Sequence, residues 1–303
     1  MADKYKYTTS QLLNFAPGSY LERTSRPIYA IIFLLPFIVF YELGTMFINT
    51  DVLNQSQIRV VAFVWLQNLL EYLGFGSRFA WAAPALAVVV ILLALQVTSH
   101  KRWAFCLADV LPMAIECILL AIPLIVLSLF LNSAVGPQNN LGQSVSNSMQ
   151  TQSKIVLSCS SATQNTSPSN TQNTTSEAGG DSLLANIITG IGAGIYEELI
   201  FRLILICALM MLFQDVLRLS HKSSVILSVL VSAALFSAHH HIFFLNGQLT
   251  TGAPFDWKEF GFRTIAGVYF AILFAIRGFA ITAGTHAFYD IIATAINLAF
   301  FQQ

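Results

Sequence analysis

The sequence predicts an all-α membrane protein, a polytopic bundle of seven or eight transmembrane helices. Only 10% of the 303 residues are charged and 55% are hydrophobic, whereas an ordinary soluble domain carries roughly 25% charge. Several apolar stretches reach the roughly 20 residues that a helix needs to cross a bilayer. This composition excludes a soluble globular protein and a disordered chain. The balance of 15 basic and 15 acidic residues, with no basic block, argues against a nucleic-acid partner.

Seven apolar runs are predicted to span the membrane. They are residues 27–47, 79–98, 104–132, 183–213, 223–245, 260–276 and 279–301. An eighth segment, Ile58 to Gly74, is apolar but contains Gln67, Asn68 and Glu71. It is therefore either a span buried in the bundle or a helix in the membrane interface. No removable signal peptide is expected, because the residues before the first run are polar.

Basic residues predict the orientation, because Lys and Arg favour cytoplasmic loops. Four clusters flank the spans: Lys4, Lys6, Arg23 and Arg26; Lys101 and Arg102; Arg218 and Lys222; and Arg277. All four lie in the cytoplasm if the segment 58–74 does not cross the bilayer. That arrangement has seven spans, an inside N-terminus and an outside C-terminus, and the cell's inner membrane is the expected location. Four other basic residues fit it less well, namely Arg59, Lys154, Lys258 and Arg263.

A low-complexity segment divides the chain into three parts. Residues 133–181 are rich in Ser, Thr, Asn and Gln, as in the run TQNTSPSNTQNTT at 163–175. Such a composition cannot bury a core, so this linker is expected to be disordered. It separates N-terminal transmembrane helices, residues 1–132, from C-terminal transmembrane helices, residues 182–303. The residues with chemical potential lie in the C-terminal part.

The run 183–213 contains three ionisable residues near its middle, namely Glu197, Glu198 and Arg202. Each such group costs roughly 2.5 to 3.5 kcal/mol at the centre of a span, so it needs a partner or a function. Glu198 and Arg202 are four residues apart and share a helix face, which predicts an ion pair. That pair by itself is equally consistent with a structural role. Glu197 points about 100° away and is the carboxylate left available as a general base.

Histidines occur in two further spans. Phe236 is followed by His239, His240 and His241 at the end of one apolar run. In the last span His286 and Asp290 are four residues apart, so the carboxylate can fix the imidazole tautomer. A Glu and a His that converge on water form a hydrolytic dyad, and a second His can stabilise an oxyanion. Measured from the ends of the runs, however, His240 and His286 do not obviously lie at the same depth, unless helix tilt or uneven helix starts bring them level.

Three glycines in the same run as the glutamates need a separate explanation. Gly190, Gly192 and Gly194 superficially suggest a nucleotide-binding loop. No strand precedes them and they lie inside a predicted span, so close packing of helices is the expected role.

The order of these motifs resembles a known family. Glu-Glu-x-x-x-Arg at 197–202, Phe-x-x-x-His at 236–240 and His-x-x-x-Asp at 286–290 are similar to the three motifs of the CPBP intramembrane proteases. That family includes the CAAX prenyl-protein endopeptidases and the bacterial Abi-type proteins. The resemblance covers about residues 183–301.

The resemblance implies a role for each motif residue. Glu197 and His240 would activate a water for attack on a peptide bond, without a covalent acyl intermediate. His286 and Asp290 would bind the oxyanion or orient the group that does. Asp290 departs from the Asn of the CAAX endopeptidases, and an ionised Asp cannot donate a hydrogen bond. Its expected role is therefore to orient or charge His286.

The remaining motif residues have supporting roles under the same resemblance. Glu198 and Arg202 would hold the catalytic helix in place, and Phe236 marks the histidine that is four residues further on. His239 and His241 are expected to face other helices, a headgroup or water. The tandem histidines also offer ligands for a metal. Because HExxH is absent and the resemblance implies a metal-independent glutamate mechanism, no cofactor is expected, and zinc is the alternative.

Three functions remain open from the sequence. The first is an intramembrane endopeptidase that cleaves a membrane-associated protein or peptide, lipidated substrates included. The second is a non-catalytic membrane scaffold or immunity-type protein of the same fold. The third is a transporter with a proton relay, against which the lack of an evident inverted repeat counts. The partners expected in the first case are the peptide substrate and the lipid bilayer.

Overall fold

A computed structural model describes residues 15–16, 18–48, 56–74, 82–133, 154–158, 178–245, 248–251 and 255–301. In this part of the chain the architecture is a bundle of helices with two small two-stranded sheets. The predicted polytopic helical bundle is thereby confirmed.

The helices and strands follow one another along the chain. The N-terminal part contains α1 (Tyr20–Thr24), α2 (Pro27–Ile48), β1 (Ser56–Val60), α3 (Val61–Tyr72), α4 (Ala83–Thr98), a 3₁₀ turn (Leu107–Asp109) and α5 (Val110–Ser133). After β2 (Lys154–Ser158) come α6 (Ala178–Glu198), a π-helical segment (Leu199–Ile204), α7 (Leu205–Met211) and a second π-helical segment (Leu212–Val216). The chain continues with α8 (His221–His239), β3 (Ile242–Leu245), β4 (Gln248–Thr251), α9 (Trp257–Arg277) and α10 (Phe279–Phe301).

Six apolar helical stretches in the described ranges are long enough to cross a membrane. They are Pro27–Phe47, Leu107–Leu131, Leu183–Val216, His221–His239, Trp257–Arg277 and Phe279–Ala299. The chain is therefore an integral multi-pass membrane protein. The remaining predicted span, 79–98, appears as the 16-residue apolar helix α4, and residues 79–81 lie outside the described residues.

The segment Ile58 to Gly74 forms the end of β1, the helix α3 and a turn. The 12 residues of α3 correspond to about 18 Å at 1.5 Å per residue, well short of the roughly 30 Å hydrocarbon core. Its first turn is buried, whereas Leu69 and Tyr72 near its end are exposed. This short helix does not cross the bilayer by itself, which favours the arrangement in which segment 58–74 lies at one membrane surface.

Part of the predicted linker has regular structure. Residues Lys154–Ser158 form β2, which pairs antiparallel with β1 so that Val60 lies opposite Lys154. This strand differs from the disorder predicted for the linker. Its three consecutive apolar residues, Ile155, Val156 and Leu157, carry the β propensity that the surrounding polar tract lacks. The rest of the predicted linker, 134–153 and 159–177, lies outside the described residues.

Basic residues from distant parts of the chain meet at one end of the bundle. Arg23 Nη2 is 2.9 Å from Asp109 Oδ1, in the 3₁₀ turn before α5. Arg277, at the end of α9, donates to the Leu21 carbonyl over 3.1 Å and pairs with Glu116 of α5. These contacts bring two of the predicted basic clusters to the same end.

A buried glutamine brings a third cluster to this end. Gln96, near the end of α4, accepts a hydrogen bond from Ile28 N at the start of α2 and donates one to the carbonyl of Lys101, each over 3.0 Å. Helices α2 and α4 therefore run antiparallel, with Lys101 beside the start of α2. Lys4 and Lys6 lie outside the described residues.

Close packing around α6 depends on its glycines, as the sequence predicts. A Cβ at Gly194 would lie 2.6 Å from the backbone nitrogen of Ala287 on α10, and one at Gly190 would lie 2.7 Å from Asp290 Cβ. Gly192 faces the ring of Tyr41 on α2. The contacts of Gly190 and Gly194 set the distance between α6 and α10, the two helices that carry Glu197 and His286.

Candidate active site

The two adjacent glutamates lie where helix α6 ends and a π-helical segment begins. Glu197 and Glu198 are the last residues of α6, and Leu199–Ile204 follow as π-helix. Such local widenings of a helix are common at functional sites. Glu197, Glu198 and Arg202 are 1%, 0% and 0% exposed. At such burial each charge requires a compensating contact.

Glu198 links two helices. Its Oε2 lies 2.9 Å from Arg202 Nε, which confirms the predicted spacing of that pair. Its Oε1 lies 2.8 Å from Nδ1 of His286 on α10. The sequence predicts only the first of these contacts, because His286 is 88 positions away. Glu198 is therefore the residue that connects the first motif to the third.

The guanidinium of Arg202 lies between aromatic rings. Its Cζ is 4.2 Å from the ring centroid of Phe236 and 5.6 Å from that of Phe270. Nη1 and Nη2 have no hydrogen-bond partner among the described residues. Cation–π attraction and the Glu198 carboxylate thus compensate the buried positive charge.

The His286 ring is held on three sides. Phe270 stacks on it with a centroid separation of 4.6 Å and an interplanar angle of 19°. Nδ1 contacts Glu198, and Nε2 is 3.6 Å from Asp290 Oδ2. Both ring nitrogens therefore face carboxylates. This arrangement suits the orienting role that the resemblance allows for His286 and Asp290 better than direct donation to an oxyanion.

One backbone carbonyl fixes two histidines at the end of α8. Phe236 O is 2.9 Å from His240 Nδ1 and 2.6 Å from His239 Nδ1. Because a carbonyl oxygen only accepts hydrogen bonds, the hydrogen of each ring is assigned to Nδ1. In the neutral form of each ring, Nε2 then presents a lone pair, as a general base requires.

Glu197 has a histidine neighbour that the motif pattern does not single out. His239 Nε2 lies 3.8 Å from Glu197 Oε1. One atom each of Glu197, His239 and His240 lie within 4.8 Å of one another, and all three residues are buried. His239 faces other helices, as expected, and one of them is α6, which carries Glu197. The third and fourth residues after Phe236 lie on either side of the Phe236 face, so His239 and His240 both reach this region.

His240 and His286 lie at a similar depth, because the Phe236 ring packs against both of them. The Phe236 ring centroid is 5.1 Å from that of His240 and 6.1 Å from that of His286. The ends of apolar runs do not give the relative depth of two helices, because packing staggers the helices along the bundle axis. The four motif residues Glu197, His240, His286 and Asp290 thus come from three helices to one region.

The spacing of the Glu197, His239 and His240 atoms bears on metal binding. Zinc with ligands at 2.0 to 2.1 Å needs tetrahedral ligand atoms about 3.3 Å apart. Glu197 and His239 are 3.8 Å apart, so they would have to approach by about 0.5 Å to share such an ion. The carboxylate and imidazole donors are typical zinc ligands, but their separation is larger than that of ligands on one tetrahedral zinc ion.

His241 belongs to a neighbouring cluster. Its Nε2 is 3.4 Å from Nη1 of Arg263, which is 3.5 Å from Glu259 Oε2 on the same helix, α9. Arg263 is 1% exposed. The histidine faces another helix here, as the sequence predicts for His241.

Several contributors to the site were not predicted. Trp65 of α3 and Phe201 pack on His239, with ring centroids 5.7 and 4.7 Å away, and Phe270 stacks on His286. The i+3 position of His239 relative to Phe236 was a usable signal. Single aromatic residues in apolar helices carry no such signal, because they are common on every face of a membrane helix.

Comparison with protein families finds one match. Residues 179–292, just over a third of the chain, match the family described as Rce1-like, type II CAAX prenyl endopeptidase. Curated proteins and solved structures give no significant match. The matched region contains all three motifs.

This match confirms the resemblance that the three motifs show. Residues 179–292 are similar to the CAAX-type intramembrane endopeptidases, a class of protease that is embedded in a membrane.

Proposed function

We propose that the chain hydrolyses a peptide bond in a membrane-associated protein or peptide by means of a water activated by Glu197 and His240. The observation that supports this most is the convergence of a buried carboxylate and two Nδ1-anchored histidines within 4.8 Å of one another. A carboxylate and a neutral imidazole are the two side chains most suited to accept a proton from water.

The reaction adds one water across the peptide bond. The water oxygen forms a bond to the carbonyl carbon as its proton passes to the Glu197–His240 pair. When the tetrahedral intermediate collapses, the carbon–nitrogen bond breaks and that proton moves to the amine nitrogen. The products are a carboxylic acid and an amine, and no covalent bond to the protein forms at any stage.

The second group of residues holds the catalytic helix and its charge. Glu198 bridges Arg202 and His286, and Asp290 lies beside the other nitrogen of His286. Two carboxylates, one guanidinium and one imidazolium would together be electrically neutral. This network holds the helix next to Glu197 in place, and the Glu197 carboxylate itself is not one of its members.

The cellular setting follows from the basic end of the bundle. Arg23, Lys101 and Arg277 gather there, and positive residues favour the cytoplasmic side. We assign that end to the cytoplasm and the protein to the cell's inner membrane. Substrates are proteins or peptides anchored in that membrane, with or without a lipid group.

The test is cleavage of a library of membrane-anchored peptides by purified protein in lipid, with wild type and Glu197→Gln side by side. Glu71→Gln is the matched control, since that carboxylate is exposed on α3 and contacts only Gln67 among the bonds the structure describes. Wild type and Glu71→Gln should cleave the same peptides, and Glu197→Gln should cleave none. Equal cleavage by all three proteins would overturn the proposal and favour a site elsewhere.

A further inference from the structure

We infer that His239 is a second histidine of the reaction centre, which binds the attacking water together with Glu197 and His240. This inference rests on the proposed function and deepens it. The Phe-x-x-x-His motif accounts for His240 alone. In the structure it is His239 whose Nε2 lies 3.8 Å from the Glu197 carboxylate.

The separation of 3.8 Å points to a shared third group. It is too long for a direct hydrogen bond, which requires about 2.7 to 3.2 Å between nitrogen and oxygen. It is also too short for a water placed on the line between the two atoms. A water beside that line, about 2.8 Å from each atom, subtends an angle near 85°, within reach of the preferred hydrogen-bond directions of water.

The third member of the cluster fits the same water. For three atoms that all lie within 4.8 Å of one another, one point exists that is no more than about 2.8 Å from each of them, a normal hydrogen-bond length. Glu197, His239 and His240 therefore bracket a position that one water can occupy while contacting all three. The small exposed fractions of His239 and His240, 6% and 5%, are compatible with a nearly enclosed position.

The number of hydrogen-bond donors and acceptors around this water indicates a role for His239. With Nδ1 of both rings bound to Phe236 O, Nε2 is the remaining acceptor of each neutral ring. In the proposed arrangement these two atoms and the Glu197 carboxylate are three acceptors. A water supplies two hydrogens, so the third acceptor must hold a proton of its own. The centre thus stores one proton beside the attacking water. That proton is available to the amine nitrogen when the carbon–nitrogen bond breaks, and the proton taken from water replaces it.

The surroundings of His239 fix its ring in this position. Trp65, Phe201 and Phe236 lie with ring centroids 5.7, 4.7 and 5.6 Å away. These contacts would accept any aromatic ring. Only the nitrogen facing Glu197 distinguishes a histidine from a phenylalanine there, which makes the two roles separable by substitution.

Three variants separate packing from water binding. His239→Phe keeps an aromatic ring without nitrogen. His239→Asn keeps a polar group near the Nδ1 position, and His239→Gln places one near the Nε2 position. His221→Gln, an exposed histidine at the start of the same helix, is the control. Each is compared with wild type in kcat, KM and melting temperature on a peptide that wild type cleaves and Glu197→Gln does not.

Water binding by His239 predicts a specific order. His239→Phe and His239→Asn should lower kcat about 10- to 100-fold, by analogy with the loss of a partner that orients a metal ligand, with KM within about 2-fold. His239→Gln should recover to within about 5-fold of wild type, and His221→Gln should match wild type. Full activity of His239→Phe, or rescue by Asn and not by Gln, would overturn the inference. Because Glu197→Gln stays inactive in either case, the proposed function would survive that result.

Discussion

Glu198→Gln is predicted to destabilise the protein far more than Glu197→Gln, although the two residues are adjacent. Glu198 contacts Arg202 over 2.9 Å and His286 over 2.8 Å, and Arg202 is fully buried. Loss of the carboxylate charge leaves a buried guanidinium without its anion. Breaking a buried ion pair in this way costs about 3 to 5 kcal/mol.

The expected shift follows from that free energy. For a protein of this size a loss of 1 kcal/mol lowers the melting temperature by about 2 to 4 °C, so Glu198→Gln should melt about 10 °C lower. Glu197→Gln, which keeps a polar group of the same size 3.8 Å from His239 Nε2, should stay within about 3 °C of wild type. The assay is thermal unfolding of purified protein in one detergent. Equal melting temperatures for Glu198→Gln and wild type would refute the assignment of Glu198 to the structural network.

Three further outcomes are expected. Gly194→Ala should lower the melting temperature in the same assay, because its Cβ would meet the backbone of Ala287 at 2.6 to 2.9 Å; Gly261→Ala, with no atom within 4 Å of its Cβ, should not, and equal effects would contradict the packing. Asp290→Asn should retain cleavage within about 10-fold and Asp290→Ala should lose more, because the Asn amide keeps a polar group beside His286 Nε2, which is 3.6 Å from the carboxylate; the reverse order in steady-state kinetics would be inconsistent with an orienting role. Cleavage should be unaffected by a chelator, and chelator-sensitive activity restored by zinc would assign a metal to the histidines.

Local spacing carried most of the information about the site. Glu198 and Arg202 pair as their separation of four residues predicts, and the glycines of α6 pack as their position in a span predicts. The segment Ile58 to Gly74 was left open because its polar residues suit either a buried span or an interfacial helix. The length of α3 decides between the two, because a 12-residue helix is too short to span the bilayer. The helix is this short because β1, which pairs with β2, occupies the residues up to Val60.

Long-range contacts account for what the sequence could not predict. The bond between Glu198 and His286 and the contact between His239 and Glu197 each join separate helices. Their formation depends on the stagger and rotation of α6, α8 and α10, which packing at positions such as Gly194 sets. Hydropathy gives the existence of these helices and not their relative depth.

The most direct test of the account is the kcat of Glu197→Gln on a peptide that wild type cleaves, in preparations with matching melting temperatures. Removal of the group that accepts the proton of water should lower kcat by at least about 100-fold, the lower limit of the usual general-base contribution, with little change in KM. A Glu197→Gln protein that is folded and cleaves the peptide within about 10-fold of wild type would contradict the claim that Glu197 activates the water.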